Sequence, residues 1–247
     1  TGVEEDKVLG VSKYFDPEVG EKIIQAYIQS GKVKDLDLSK LIIKSIPSGL
    51  KCKKLNLSGN NDLKHLPKIQ AERIWANFTN IESIGEGLKC EELHLSENKM
   101  LKILPKVEAE EIWAVNTNIE RIEKGLKCRY LYLGGNGSLT HLPQIEANEN
   151  IFLIEIKANN TNIQTIEEGL KCKELSLREN KALKHLPKIQ AEVIRASYTN
   201  IQTIADGLKV KKLDLTENKA LKHLPKMEAE KIWATYTNIQ TIADGLK

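Results

Sequence analysis

The sequence predicts a repeat solenoid: a curved parallel β-sheet of about eleven short strands, with extended convex segments and an N-terminal helical cap. Three observations carry this reading. The tripeptide Thr-Asn-Ile recurs at Thr79, Thr117, Thr161, Thr199 and Thr237, at spacings of 38, 44, 38 and 38 residues. Each 38-residue unit divides into halves of 19: one reads Cys-x-x-Leu-x-Leu-x-x-Asn (Cys90, Leu93, Leu95, Asn98), the other Ala-x-x-Ile-x-Ala-x-x-Thr-Asn-Ile (Ala109, Ile112, Ala114, Thr117, Asn118, Ile119). A Leu or Ile falls at Leu36, Leu55, Ile74, Leu93, Ile112, Leu131, Ile156, Leu175, Ile194, Leu213 and Ile232, every step being 19 residues except the 25 from Leu131 to Ile156.

Both halves fit the leucine-rich-repeat template L-x-x-L-x-L-x-x-N/C-x-L, the residues above holding its fourth position. Alternation of L-x-L turns two apolar side chains to the buried face of a short strand. One turn alone cannot bury them; stacked turns share a continuous core. Asn98 and its equivalents are placed to bond the backbone of neighbouring loops, and Thr117 and its equivalents to do so in the other half. Pro67, Pro105, Pro143, Pro187 and Pro225 favour extended convex segments over helices. The repeat spans residues 33–247, and residues 1–32 lie outside it. There, Asp16-Pro17-Glu18 is a helix start, Ile23, Ile24, Tyr27 and Ile28 form an apolar stripe at helical spacing, and Gly31 is a stop. That helix is expected to shield the open end of the core. The extra residues near Ala147 to Leu153 are expected to loop out with Ile151-Phe152-Leu153 packed as a bulge, or to form a second contact site. The chain stops at Asp244-Gly245-Leu246-Lys247, one residue short of the next turn, which reads as a fragment of a longer protein.

The segment Leu-Pro-Lys-x-x-Ala-Glu-x-Ile-x-Ala-x-x-Thr-Asn-Ile-x-x-Ile resembles the short leucine-rich repeats of secreted bacterial effectors, the YopM and IpaH type. That resemblance implies a host-protein partner and action in the host cytoplasm. In the IpaH branch it also implies substrate recognition for a ubiquitin ligase domain. Two departures from the subtype are plain: it usually carries two Pro residues per turn, whereas here Pro appears mainly in alternate turns, and Gly87-Leu88-Lys89-Cys90 and its copies are foreign to its pattern. A bacterial surface adhesin is the further alternative.

A formal net charge of +3 is too small to argue for nucleic acid or an anionic membrane. No stretch reaches the roughly 18 apolar residues of a membrane helix, and no basic segment followed by an apolar run marks a secretion signal. Cys52, Cys90, Cys128 and Cys172 share one inward template position two turns apart. At about 10 Å they are too far apart to form disulfides. His65, His141, His185 and His223 share another position, too widely spaced to hold one metal together. No Gly-rich phosphate loop, metal-ligand spacing or nucleophile–base pair is present, so the chain is read as non-enzymatic and without a cofactor.

The informative column is the fifth template position, which points away from the core: Asp37, Asn56, Trp75, His94, Trp113, Tyr132, Lys157, Ser176, Arg195, Asp214 and Trp233. Trp75, His94, Trp113 and Tyr132 fall on four consecutive strands, roughly 5 Å apart. Phe78, Tyr198 and Tyr236 fall at the edge of the same face. Grouped aromatics rimmed by charge predict a partner-binding surface made of Trp75, Phe78, His94, Trp113, Tyr132, Arg195, Tyr198, Trp233 and Tyr236. The competing reading is that duplication copied an Ile-Trp-Ala segment and the rings pack on one another; Lys157 and Arg195 in equivalent places show that the solenoid does not require Trp there. Mixed charge around the patch (Glu72, Arg73, Glu91, Glu92, Glu110, Glu111, Arg129) favours a protein over a polyanion.

Overall fold

The computed structural model describes residues 16–146 and 153–244. Eleven parallel strands form one sheet in chain order: Leu36–Asp37, Lys51–Asn56, Gln70–Trp75, Lys89–His94, Glu108–Trp113, Tyr130–Tyr132, Glu155–Lys157, Glu174–Ser176, Val193–Arg195, Leu208–Asp214 and Met227–Trp233. The architecture is leucine-rich-repeat-like. Register runs unbroken through the predicted column, from Leu36 opposite Leu55 to Leu213 opposite Ile232. Leu131 pairs directly with Ile156, so the extra residues do not disturb the sheet. Leu153 fills the inward place that Cys128 holds one turn earlier and is buried. The rest of the expected bulge, Ile151 and Phe152, lies outside the described residues.

The inward alternation holds: Leu93 and Leu95, like their copies through Leu213 and Leu215, have no solvent exposure. A second, polar ladder runs beside this core. Asn98 Nδ2 donates to Ala76 O at 2.7 Å and Leu95 O at 2.6 Å, tying its own turn to the one before. Asn60, Asn136, Asn180 and Asn218 repeat this pattern. The Thr of each intervening turn then closes the gap. Thr79, Thr117, Thr161 and Thr199 donate their hydroxyls to the Oδ1 of Asn98, Asn136, Asn180 and Asn218. Asn60 Oδ1 has no partner, because Leu41 occupies the place where a Thr would stand.

The convex segments are extended, as expected, but they also pair two by two. His65–Leu66 pairs with Ser83–Ile84, and the same arrangement recurs once per 38-residue unit, giving five isolated two-stranded ladders. Backbone donors explain the interruption. Gly85, Glu123, Glu167, Ala205 and Ala243 each donate an N–H to the Leu carbonyl of the preceding turn, at 2.7–2.9 Å. In the alternate turns the residue after the paired Leu is Pro67, Pro105, Pro143, Pro187 or Pro225, which has no N–H to continue the ladder.

The helix Pro17–Gln29 begins where Asp16 accepts from Glu18 N at 2.9 Å, and Gly31 takes a positive φ just beyond its end. It lies on the first turn through Gly20, Ile24 and Tyr27. A Cβ on Gly20 would sit 2.1 Å from Ile43 Cδ1. The Tyr27 hydroxyl accepts from Lys34 N at 3.1 Å and lies 2.9 and 3.0 Å from the carbonyls of Lys34 and Lys51. Ile28 departs from the expected stripe and is 45% exposed. Contact runs along the i, i+4, i+7 line of Gly20, Ile24 and Tyr27, and Ile28 is turned one residue past it, beside an open cleft lined by Val33, Pro47 and Leu50.

Candidate interaction surface

The outward column is built as the alternation requires. Asn56, Trp75, His94, Trp113, Tyr132 and Lys157 stand side by side in register on consecutive strands. Trp75, His94, Trp113 and Tyr132 are half-buried, and each rests on the next. Ring centroids are 5.7 Å apart for Trp75–His94 (edge-on), 5.8 Å for His94–Trp113 (stacked, 4° between planes) and 3.9 Å for Trp113–Tyr132. Lysines close both ends: Lys54 Nζ lies 3.1 Å from the Trp75 ring centre and Lys157 Nζ 5.2 Å from that of Tyr132. Ring faces are therefore largely occupied within the ladder. What it offers a partner is ring edges and the polar groups beside them.

Those groups come from the third template position, which shares the outward face. Glu92 pairs with Arg73 at 3.2 Å and lies 3.4 Å from His94 Nε2. Glu111 accepts from Trp113 Nε1 at 3.0 Å, and Glu155 pairs with Lys157 at 3.1 Å. Burial pushes the Tyr132 hydroxyl up to about 12, with the Glu155 carboxylate adding to the shift, so it stays protonated. Trp75 Nε1 is buried without a hydrogen-bond partner.

The remaining predicted residues do not join this ladder. Trp233 stands five strand steps from Tyr132 in the same column, about 24 Å away, and Arg195 is engaged by Glu174. The nine predicted residues thus form two groups rather than one patch. Phe78, Tyr198 and Tyr236 are 64%, 49% and 71% exposed, at a left-handed corner just past the strands. That corner recurs in all eleven turns, at Lys40, Gly59, Phe78, Glu97, Asn116, Gly135, Asn160, Glu179, Tyr198, Glu217 and Tyr236. A side chain there costs about 1–2 kcal/mol of backbone strain, and Gly59 and Gly135 show the unstrained solution. Sequence reading missed this corner and the flanking lysines. Gly at two of its eleven places signalled the first, and extending the alternation to the third template position signals Lys54.

All four cysteines are free. Cys52 and Cys128 are buried; Cys90 and Cys172, expected to be buried too, are partly open where grooves cross the strand entrances. Burial raises the Cys52 thiol from 9.0 to about 11 and the other three to about 12. In the folded chain the thiols therefore hold their protons above the pH at which the unfolded chain releases them. Stability from this source is intact below about pH 9 and falls as pH rises towards 12. Thermal melts across that window are expected to show a smaller decline for Cys52→Val/Cys128→Val than for the wild type. Equal declines would mean that the thiols do not contribute.

The convex histidines are exposed, and each Nδ1 lies 2.7–2.8 Å from the hydroxyl of Ser83, Thr165, Thr203 or Thr241 one turn on. Among the described residues no group of three or more His, Cys, Asp or Glu side chains is arranged to hold a metal ion, and no helix is long and apolar enough to cross a membrane. No protein-family model and no curated protein sequence matches the chain.

Proposed function

We propose that this chain is a non-enzymatic recognition domain that binds a protein partner through the outward face of its sheet, centred on Trp75, His94, Trp113 and Tyr132. The observation that carries the proposal is the half-buried aromatic ladder itself. Four large rings on consecutive rigid strands are already ordered by one another, so a partner docking there immobilises little that was mobile. Half-exposed Trp and Tyr edges flanked by Glu92, Glu111, Lys54 and Lys157 supply both the apolar anchor and the polar rim of a protein interface. Mixed charge along the rim supports a protein over a nucleic acid. The resemblance to short-repeat bacterial effectors supports a host protein as the partner.

Affinity capture from host-cell lysate, comparing wild type with Trp75→Ala/Trp113→Ala, tests this. The wild type is expected to retain a discrete partner that the double variant loses while keeping its circular dichroism spectrum and cooperative unfolding. Unchanged capture by a folded double variant would remove the ladder from the interface. Unfolding of the variant would make the rings structural.

A further inference from the structure

We propose that a hollow in the same sheet face, some strands beyond the ladder, is a binding site for a phosphoryl group. It encloses about 310 Å³ and is bounded by Arg178, Arg195, Lys212, Asp214, Thr216 and Trp233. The register builds it: Arg195, Asp214 and Trp233 lie side by side on three adjacent strands, with Lys212 opposite Val193. Arg178 reaches across from an earlier turn, its Nη2 ending 3.8 Å from Asp214 Oδ2, beyond hydrogen-bonding distance.

Charge in the hollow is unbalanced. Its lining holds three cations (Arg178, Arg195, Lys212) and one carboxylate (Asp214), a net of three minus one, or +2. Glu174, outside the lining, engages Arg195, so the interacting groups together carry three minus two, or +1. Among the described residues no carboxylate lies within ion-pairing distance of Lys212, and no protein acceptor takes the Thr216 hydroxyl proton. Asp214 is turned to the backbone, accepting from Thr216 N at 3.0 Å, so its charge is partly spent there. A phosphoryl group supplies what is missing. Its oxygens suit the forked guanidinium donors, the ammonium and the free hydroxyl. Trp233 and Val193 give the hollow an apolar wall that a group carrying the phosphate can lie against. That the carrier is a phosphorylated side chain of a protein rests on the recognition function proposed above. The anion site itself does not.

The test is a titration of isotopically labelled chain with phenyl phosphate, inorganic phosphate and phenol at constant ionic strength, following the Nε–H signals of Arg178 and Arg195 and the Trp233 indole N–H. Phenyl phosphate is expected to shift all three saturably and phenol none. Arg178→Gln/Lys212→Gln should weaken phenyl phosphate binding about tenfold or more. Tighter binding of phenyl than of inorganic phosphate assigns the site to a phosphorylated side chain; equal binding assigns it to the free anion. The absence of saturable shifts, or unchanged affinity in the Gln variant, would overturn the site. Trp75→Ala/Trp113→Ala should titrate like the wild type, so failure of the ladder and failure of the hollow are separately visible.

Discussion

Replacing Asn136 with alanine is expected to destabilise the fold by roughly 3–5 kcal/mol, although it removes no apolar surface from the core. Its Nδ2 donates to Ala114 O at 2.7 Å and Leu133 O at 2.6 Å, and its Oδ1 receives the Thr117 hydroxyl and Ile119 N at 3.3 Å. Alanine removes all four bonds where water cannot replace them, leaving the Thr117 hydroxyl with Ala114 O and Ile119 N with Thr117 Oγ1, both at a long 3.4 Å. Each lost partner costs about 1–3 kcal/mol, moderated where a group retains a second bond. Thr117→Val, which keeps the shape and removes one hydroxyl, should cost only about 1–2 kcal/mol. It leaves Asn136 Oδ1 with the Ile119 N–H alone, at 3.3 Å, one step short of the partnerless state that Asn60 Oδ1 occupies in the native chain. Denaturant unfolding of both single variants and the double should show a coupling energy, because the second substitution removes a partner already lost. An Asn136→Ala cost below about 1 kcal/mol, as for a surface site, would mean that the ladder does not bind the turns together.

How much of this was legible in the sequence follows from what a template position encodes. It encodes direction. The column from Leu36 to Ile232, the burial of Leu93 and Leu95 and the outward placing of Trp75 and Trp113 all follow from a 19-residue step combined with alternation. The step also placed Ile156 opposite Leu131 across the 25-residue interval. Contact is not encoded. That Lys54 lies over Trp75, that ring faces turn on one another, and that Trp233 stands apart from Tyr132 depend on rotamers and on distance along the stack. The convex ladders show a third case. The alternating prolines were visible, but the pairing they permit appears only when each backbone N–H is followed to its acceptor. At Ile28 the helical stripe was one residue too broad, because the helix meets a single turn through one narrow line of contact.

The direction claim has its sharpest test at two neighbouring residues. Ile112→Ala is expected to cost about 3–4 kcal/mol, whereas Trp113→Ala, which removes a much larger side chain, should cost only about 1–2 kcal/mol. Ile112 has no solvent exposure and sits between Leu93 and Leu131 in the central strands. Truncation there opens a cavity walled by residues that strand pairing holds in place, so little collapse can relieve it. Trp113 is half-buried on the other side of the same strand. Its removal costs contacts with His94 and Tyr132 and the hydrogen bond to Glu111, but water fills the vacated space and no sealed void forms. Nearest-neighbour coupling sharpens the contrast. Weakening a middle turn loosens its contacts with the turns on both sides, so Ile112→Ala should broaden the unfolding transition or split it near the fifth strand, while Trp113→Ala should shift it intact. If Trp113→Ala proved as costly as Ile112→Ala, the rings would belong to the fold rather than to a partner, and the case for recognition through this face would fail with it.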